Sequence, residues 1–248
     1  MTSSLNHADT QALSVDIREL SYHWRGQSSP VIDIPLLQIP QGQRVFLHGP
    51  SGSGKSTLLS LLAGVHVPQQ GKIHIHQNDI SQLSQRRRDS FRADYIGYIF
   101  QQFNLLPFLD LIHNVTLAAD FSVQRRKRLQ AQQKQVNAEA ARLLISLGIP
   151  DHLHHRPASQ LSVGQQQRVA AARALIGSPT LIIADEPTSA LDANSRESFL
   201  QLLFEECTAA GSTLVFVSHD AALAPMFDRS IDLAAINRAA SENIGGAA

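Results

Sequence analysis

The run Gly49-Pro50-Ser51-Gly52-Ser53-Gly54-Lys55-Ser56 constrains this chain more than any other segment. It matches the phosphate-cradling pattern G-x-x-x-x-G-K-[ST]. Glycines let the backbone wrap close to phosphate, so that successive N–H groups face one concavity. Lys55 supplies a point charge for the β- and γ-phosphates, and the Ser56 hydroxyl is a hard oxygen ligand suited to Mg²⁺. Arg44 to His48 reads as a short strand before the loop, and Thr57 to Ala63 as an apolar helix closed by Gly64 after it. The loop is therefore placed at a helix N-terminus, where the dipole favours an anion.

The 248 residues allow one large or two small domains. With 43% hydrophobic and 17% charged residues, the composition is that of a folding chain. Lys+Arg and Asp+Glu balance at 21 each, which gives no global electrostatic reason to expect nucleic-acid binding. The single cysteine, Cys207, excludes an intrachain disulfide and a cysteine-based zinc site. Met1 to Thr10 lacks an apolar signal core, and no apolar run approaches the ~18 residues of a membrane span. A soluble protein of a reducing compartment is expected, with any membrane role exerted through a partner.

Leu13 to Ile39 carries two apolar runs separated by the turn-rich stretch Arg25 to Pro30, which predicts a hairpin or two edge strands. Lys72 to His76 alternates as a half-buried strand does, and Tyr95 to Phe100 is a further strand candidate. Residues 104–160 read as a helical subdomain inserted into an α/β core. Ala140, Leu143, Leu144 and Leu147 fall at helical spacing, and Gly148 is a C-terminal cap. A helix follows over Val163 to Ile176, then the apolar strand Thr180 to Ala184. Next come an amphipathic helix marked by Phe199, Leu203 and Cys207, and a buried strand over Thr213 to Val217. Strands alternating with helices imply a mostly parallel sheet. One domain over 13–235 is expected, with flexible tails at 1–12 and 239–248.

Asp185-Glu186 ends an apolar strand. An Asp there, in a sheet that carries a phosphate loop, suits Mg²⁺ together with Ser56, and the adjacent carboxylate of Glu186 is placed to polarise a water. Leu161-Ser162-Val163-Gly164-Gln165 stands just before the long helix. Here the chain resembles the ATP-binding cassette (ABC) ATPases, whose signature is usually L-S-G-G-Q. Gln101 resembles the family's Q-loop glutamine, Ser189-Ala190-Leu191-Asp192 its D-loop, and His219 in V-S-H-D its switch histidine. The resemblance runs from about Leu13 to Asp232. It implies a nucleotide-hydrolase core of the phosphate-loop type with a mostly parallel sheet, an N-terminal antiparallel β subdomain and an inserted helical subdomain.

The resemblance also implies ATP and Mg²⁺ as ligands and two ATP bound between two head-to-tail copies. Residues 49–57 (including Pro50, Ser51 and Thr57) would bind ATP, with Trp24 stacking on adenine and Tyr22 the second candidate. Ser162 and Gly164 would reach ATP across the dimer, and Gln165 and Asp192 would also bind ATP. Glu186, His219 and Gln101 would form the catalytic set, and Ser56, Gln101 and Asp185 would hold Mg²⁺. Val163 departs from the usual glycine; ordinary helical dihedrals at that position would make the change mild, since the N–H survives.

I-G-Y-I-F-Q-Q-F-N-L-L-P (96–107) and A-D-E-P-T-S-A-L-D (184–192) resemble the subfamily that serves macrolide exporters, lipoprotein-releasing complexes and the cell-division ABC complex. That implies a separate integral-membrane permease and a position on the cytoplasmic face of the membrane. A non-transport role, regulating a cell-wall or division complex through a membrane partner, is the alternative. Phe103, Leu105, Leu106, Pro107 and Phe108 form either a surface for the partner's coupling helix or part of the helical subdomain's packing. The cluster His152, His154 and His155 lacks further convergent ligands for a metal. The basic runs 86–88 and 125–128 read as solvated helix faces rather than lipid-facing patches.

Overall fold

The computed structural model describes residues 12–239. Of the two expected tails, only Ala12 and Ala239 fall among them, and Ala239 is buried.

Two sheets organise the chain. The first is antiparallel and contains β1 (Leu13–Tyr22), β2 (Ile32–Pro40), β4 (Gln70–Ile75) and β5 (Asn78–Asp79), in the order β2-β1-β4-β5. The expected hairpin is β1–β2, paired from Leu13↔Pro40 to Tyr22↔Ile32. Its inward residues are Val15 and Ile17, then Leu20 and Tyr22, a change of phase that strict alternation forbids. A bulge against β4 resets the phase, with Glu19 at φ 48°. The facing position, Gly71, admits no side chain, because a Cβ there would lie 2.2 Å from the Glu19 carbonyl oxygen.

The second sheet is wholly parallel, in the order β6 (Ile96–Ile99), β7 (Leu181–Asp185), β8 (Thr213–Val217), β3 (Arg44–His48), β9 (Arg229–Asp232). β8 is buried throughout and β7 up to Asp185, as continuous apolar runs covered on both faces must be. Helix α1 (Lys55–Leu62) packs Leu58, Leu59, Leu61 and Leu62 into the core shared with the antiparallel sheet. The other face carries a second core, built with α3 (Leu111–Asp120), α5 (Val136–Ser146), α6 (Val163–Leu175) and α7 (Ala193–Ala210). The C-terminal ends of β3, β6, β7 and β8 share one edge, where ligands bind in open parallel sheets.

Two sequence expectations need correction. Tyr95 is not in a strand; it closes α2 (Gln85–Tyr95), and β6 begins at Ile96. The run Arg125 to Arg128, on α4 (Val123–Ala131), is not a solvated face. Arg125 is 2% exposed. Its guanidinium donates to the carbonyls of Ala93 (2.8 Å), Ile96 (2.6 Å), Ala174 (3.1 Å) and Ile176 (2.7 Å). Arg128 donates to Gly177 and Ser178, each at 2.8 Å, and to Asp94. These carbonyls lie at the C-terminal ends of α2 and α6, which lack intrahelical partners and carry the negative end of the dipole. The basic run therefore caps two helices at the junction of helical subdomain and sheet. Burial, followed by repulsion from Arg128, pulls the Arg125 pKa below its ordinary value, and Asp94 opposes that shift.

Arg125→Ala strands those buried carbonyls and is expected to cost about 3 kcal/mol of stability. Urea unfolding tests this. A lowered midpoint with unchanged slope is the expected result, and an unchanged midpoint would contradict the capping role.

Candidate nucleotide-binding and hydrolysis site

The phosphate loop leaves β3 at His48 and enters α1 at Lys55. Gly54 takes φ 96°, and a Cβ there would stand 2.7 Å from Ile32 Cδ1 and 3.2 Å from the Val31 carbonyl oxygen. Only glycine fits that turn. Ser53 is buried, and its N–H donates to the Pro50 carbonyl at 3.2 Å. Lys55 Nζ lies over the loop, 2.7 Å from the Gly49 carbonyl oxygen and 2.9 Å from that of Pro50. Ser51, Gly52 and Ser56 are exposed, and Thr57 is buried.

Two clefts meet at this loop. One, of about 550 Å³, is lined by Gly49, Pro50, Ser51 and Lys55 on one side and by Glu186 and His219 on the other. The second, of about 360 Å³, runs along Val31, Gly52, Gly54, Ser56 and Thr57 and also reaches Glu186. Glu186 Oε2 is 3.1 Å from His219 Nδ1. Glu186 sits at φ 44°, in the left-handed region, and its N–H donates to the Val217 carbonyl at 3.0 Å. Such backbone strain in a non-glycine residue costs about 1–3 kcal/mol and gathers at functional sites. His219 is two-thirds exposed, so packing does little to hold it.

Asp185 is the last residue of β7. Burial, then the neighbouring charge of Glu186, raises its pKa, while Lys55 lowers it. A half-buried carboxylate facing an ammonium at the sheet edge is a hard oxygen donor that a divalent cation would suit. With Ser56 at the start of α1, the chemistry of the site therefore fits Mg²⁺. Gln101 is exposed in the turn after β6. Ile99 pairs with Ala184, so Gln101 stands beyond the level of Asp185 on the same edge.

Other expected residues lie apart from these clefts. Ser162 caps α6: its Oγ accepts from the Gln165 N–H at 3.3 Å, and Gln165 Oε1 accepts from the Ser162 N–H at 3.0 Å. The Gln165 side chain is thus spent within the capping box. Val163 lies in the first turn of α6, does not have positive φ, and is 46% exposed. Gly164 faces Leu191, whose Cδ2 would be 3.4 Å from a Cβ at that position. Asp192 caps α7, accepting from Ser195 N at 2.9 Å and from Ser195 Oγ at 2.7 Å. Those bonds hold its carboxyl below the usual range. Trp24 is 38% exposed and meets Tyr22 and His66 edge-on, whereas Tyr22 is buried. The Tyr22 carbonyl accepts from Val31 N at 2.8 Å, which ties this aromatic corner to the wall of Gly54.

The apolar stretch after Gln101 divides. Phe103 is buried and Leu105 packs on the core, while Leu106, Pro107 and Phe108 are exposed, Phe108 at 74%. The histidine cluster does not converge: the buried His154 bonds Ile149 and lies near Asp151, while His155 lies 3.7 Å from Asp110. Two residues at the site carry no local sequence signal. Asp232 lines the larger cleft. Asn237, 1% exposed, donates to the carbonyls of Ser53 (3.1 Å) and Val31 (2.9 Å) and accepts from Asp33 N at 2.7 Å.

Fold and site together define a phosphate-loop nucleotide hydrolase with cassette architecture. A family model described as ABC transporter matches residues 34–189. The lipoprotein-releasing system ATP-binding protein LolD of Shewanella sp. (strain MR-7) is 38% identical over 221 residues, covering 89% of this chain and 92% of that protein. The macrolide export ATP-binding/permease protein MacB of Vibrio parahaemolyticus is 39% identical over 208 residues, covering 84% of this chain but only 30% of that longer protein. A dimeric, post-hydrolysis structure of the ATP-binding cassette MJ0796 with ADP and Pi superposes with TM-score 0.77 at 34% identity, over 88% of this chain and 93% of that one. The chain belongs to the ABC transporter family, as an ATP-binding subunit that hydrolyses ATP.

Because the folded-state pKa of Asp185 is raised, its ionisation opposes folding as pH rises through the carboxylate range. Asp185→Asn is expected to raise Tm by ~1–2 °C at pH 7. The gain should shrink toward pH 4, where the aspartate is increasingly neutral. A pH-independent Tm difference would contradict this.

Proposed function

We propose that two copies of this chain close head-to-tail around two ATP molecules, and that closure and hydrolysis drive a separate integral-membrane permease. The observation that carries this reading is the division of the site. Lys55, Glu186 and His219 share one cleft, while Ser162, Val163 and Gly164 present the exposed start of α6 outside both clefts. One chain thus carries a phosphate-binding half and a helix N-terminus able to donate to a γ-phosphate, but does not bring them together. A solved relative of the same fold that is dimeric with ADP and Pi bound supports dimerisation.

Within the cleft, the loop 49–57 binds the phosphates and Lys55 moves from its own loop carbonyls to the β- and γ-phosphate oxygens. Trp24 borders the adenine. Glu186 takes a proton from water as its oxygen attacks the γ-phosphorus; the bond to the β–γ bridging oxygen breaks, and ADP leaves with that electron pair. His219, paired with Glu186, holds a γ-phosphate oxygen and the water from the far side. Mg²⁺, when bound with ATP, would neutralise phosphate charge, held by Ser56, Gln101 and Asp185. Ser162, Gly164 and Asp192 act on the ATP of the second copy. Ser162 and Asp192 are already ordered by their capping bonds, and Val163 is tolerated because its dihedrals are helical.

No helix among the described residues is long and apolar enough to cross a membrane. The proposed permease is a separate integral-membrane chain, and this subunit docks on its cytoplasmic face. The exposed Leu106, Pro107 and Phe108 receive the permease's coupling segment. Likeness to LolD and MacB supports an export or lipoprotein-release partner.

Lys55→Ala is expected to abolish measurable ATP binding in a fluorescent-nucleotide titration. Glu186→Gln should retain binding but lose at least ~100-fold in turnover. Wild-type turnover in Glu186→Gln would remove Glu186 as the base.

A further inference from the structure

Two loops meet across the larger cleft. Residues 186–192 follow β7 and residues 218–221 follow β8. The first is a run of tight turns, with Ser189 N on the Glu186 carbonyl at 3.3 Å and Leu191 N on the Thr188 carbonyl at 3.2 Å. Arg196, in the first turn of α7, reaches both loops. Its Nη2 donates to the Leu191 carbonyl at 3.1 Å, and its Nη1 pairs with the Asp220 carboxylate. Asp220 is itself fixed: its Oδ1 accepts from Ala222 N at 3.1 Å, and its own N–H donates to Ser218 Oγ at 3.1 Å. His219 precedes Asp220 in the chain and faces Glu186.

These contacts close a ring: from Glu186 along the backbone to Leu191, across Arg196 to Asp220, to His219, and back to Glu186. We infer that Arg196 is a positioning residue for hydrolysis, fixing Asp220 and with it the orientation of His219 against Glu186. Two observations demand such a restraint. His219 is two-thirds exposed and gains little from packing, and Glu186 holds a left-handed backbone conformation that persists only when its surroundings over-determine it. Arg196 is by contrast three-quarters buried, with one terminal nitrogen on a carboxylate, the other on a carbonyl, and its buried Nε without a partner. Leu191 also borders Gly164, so the same ring leans on the start of α6.

The inference rests on Glu186 and His219 being the hydrolytic pair. The test measures steady-state ATP hydrolysis and fluorescent ATP-analogue affinity on the full chain. Arg196→Ala and Asp220→Ala are each expected to lower kcat at least ~10-fold while leaving nucleotide affinity within ~2-fold. The double variant should be no worse than either single one, because both break the same ring. Arg196→Lys and Asp220→Asn, which keep bulk at both positions, should fall between, and they stand in if an alanine variant fails to fold. His219→Ala is measured alongside. If it falls while Arg196→Ala and Arg196→Lys turn over like wild type, the positioning role is overturned and the hydrolytic pair stands. Fully additive losses, or equal losses of affinity and kcat, also overturn it. Wild-type turnover in His219→Ala overturns the pair and the inference with it.

Discussion

The carbonyls of Ser53 and Val31 converge on one buried amide, that of Asn237, while Asp33 N donates to the same side chain. A loop that must face phosphate satisfies only some of its polar groups internally, and it holds its shape because the scaffold satisfies others. Asn237 supplies that hold from the far end of the chain, just after α8 (Leu233–Ile236), whose first turn is capped by Asp232. Ile32 and Val31 wall the other side, so close that Gly54 must lack a side chain. β3, which delivers the loop, is pinned between β8 and β9. The loop is thus rigid on three sides and open on the fourth, where Glu186 and His219 stand.

Charge is concentrated at that opening against the interest of the isolated fold. Asp185 and Glu186 are adjacent, and burial raises the Asp185 pKa with only Lys55 in opposition. Glu186 adds backbone strain. A site that holds a carboxylate pair in a half-buried edge is less stable alone than with a cationic ligand, the usual exchange of stability for function. Three arginines away from that opening are satisfied in the opposite sense. Arg125 and Arg128 quiet the ends of two helices, and Arg142 bridges Glu139 and Glu206 between α5 and α7.

The legible parts of the sequence were those whose chemistry is local. The phosphate loop and the apolar runs of β7 and β8 depend on residues within a few positions of one another. Likeness to a family supplied His219 and Gln101, which a lone histidine or glutamine could not have announced. Three features stayed hidden. Asn237 acts on Ser53 across 184 residues and has no local pattern. Arg125 looked like one member of a charged run, because charge spacing does not show that the carbonyls it meets belong to other helices. Arg196 acquires meaning only beside Asp220, 24 residues on.

The proposed dimer follows from incompleteness: Lys55, Glu186 and His219 line a cleft that the exposed start of α6 in the same chain does not enter. ATP would be the joint between two such surfaces, and hydrolysis would remove it. The most direct measurement is the molar mass of Glu186→Gln by light scattering, with and without ATP and Mg²⁺. The account predicts a doubling of mass that requires ATP and disappears with ADP. A variant that binds ATP yet keeps the same mass with and without it would contradict the claim that nucleotide joins two copies.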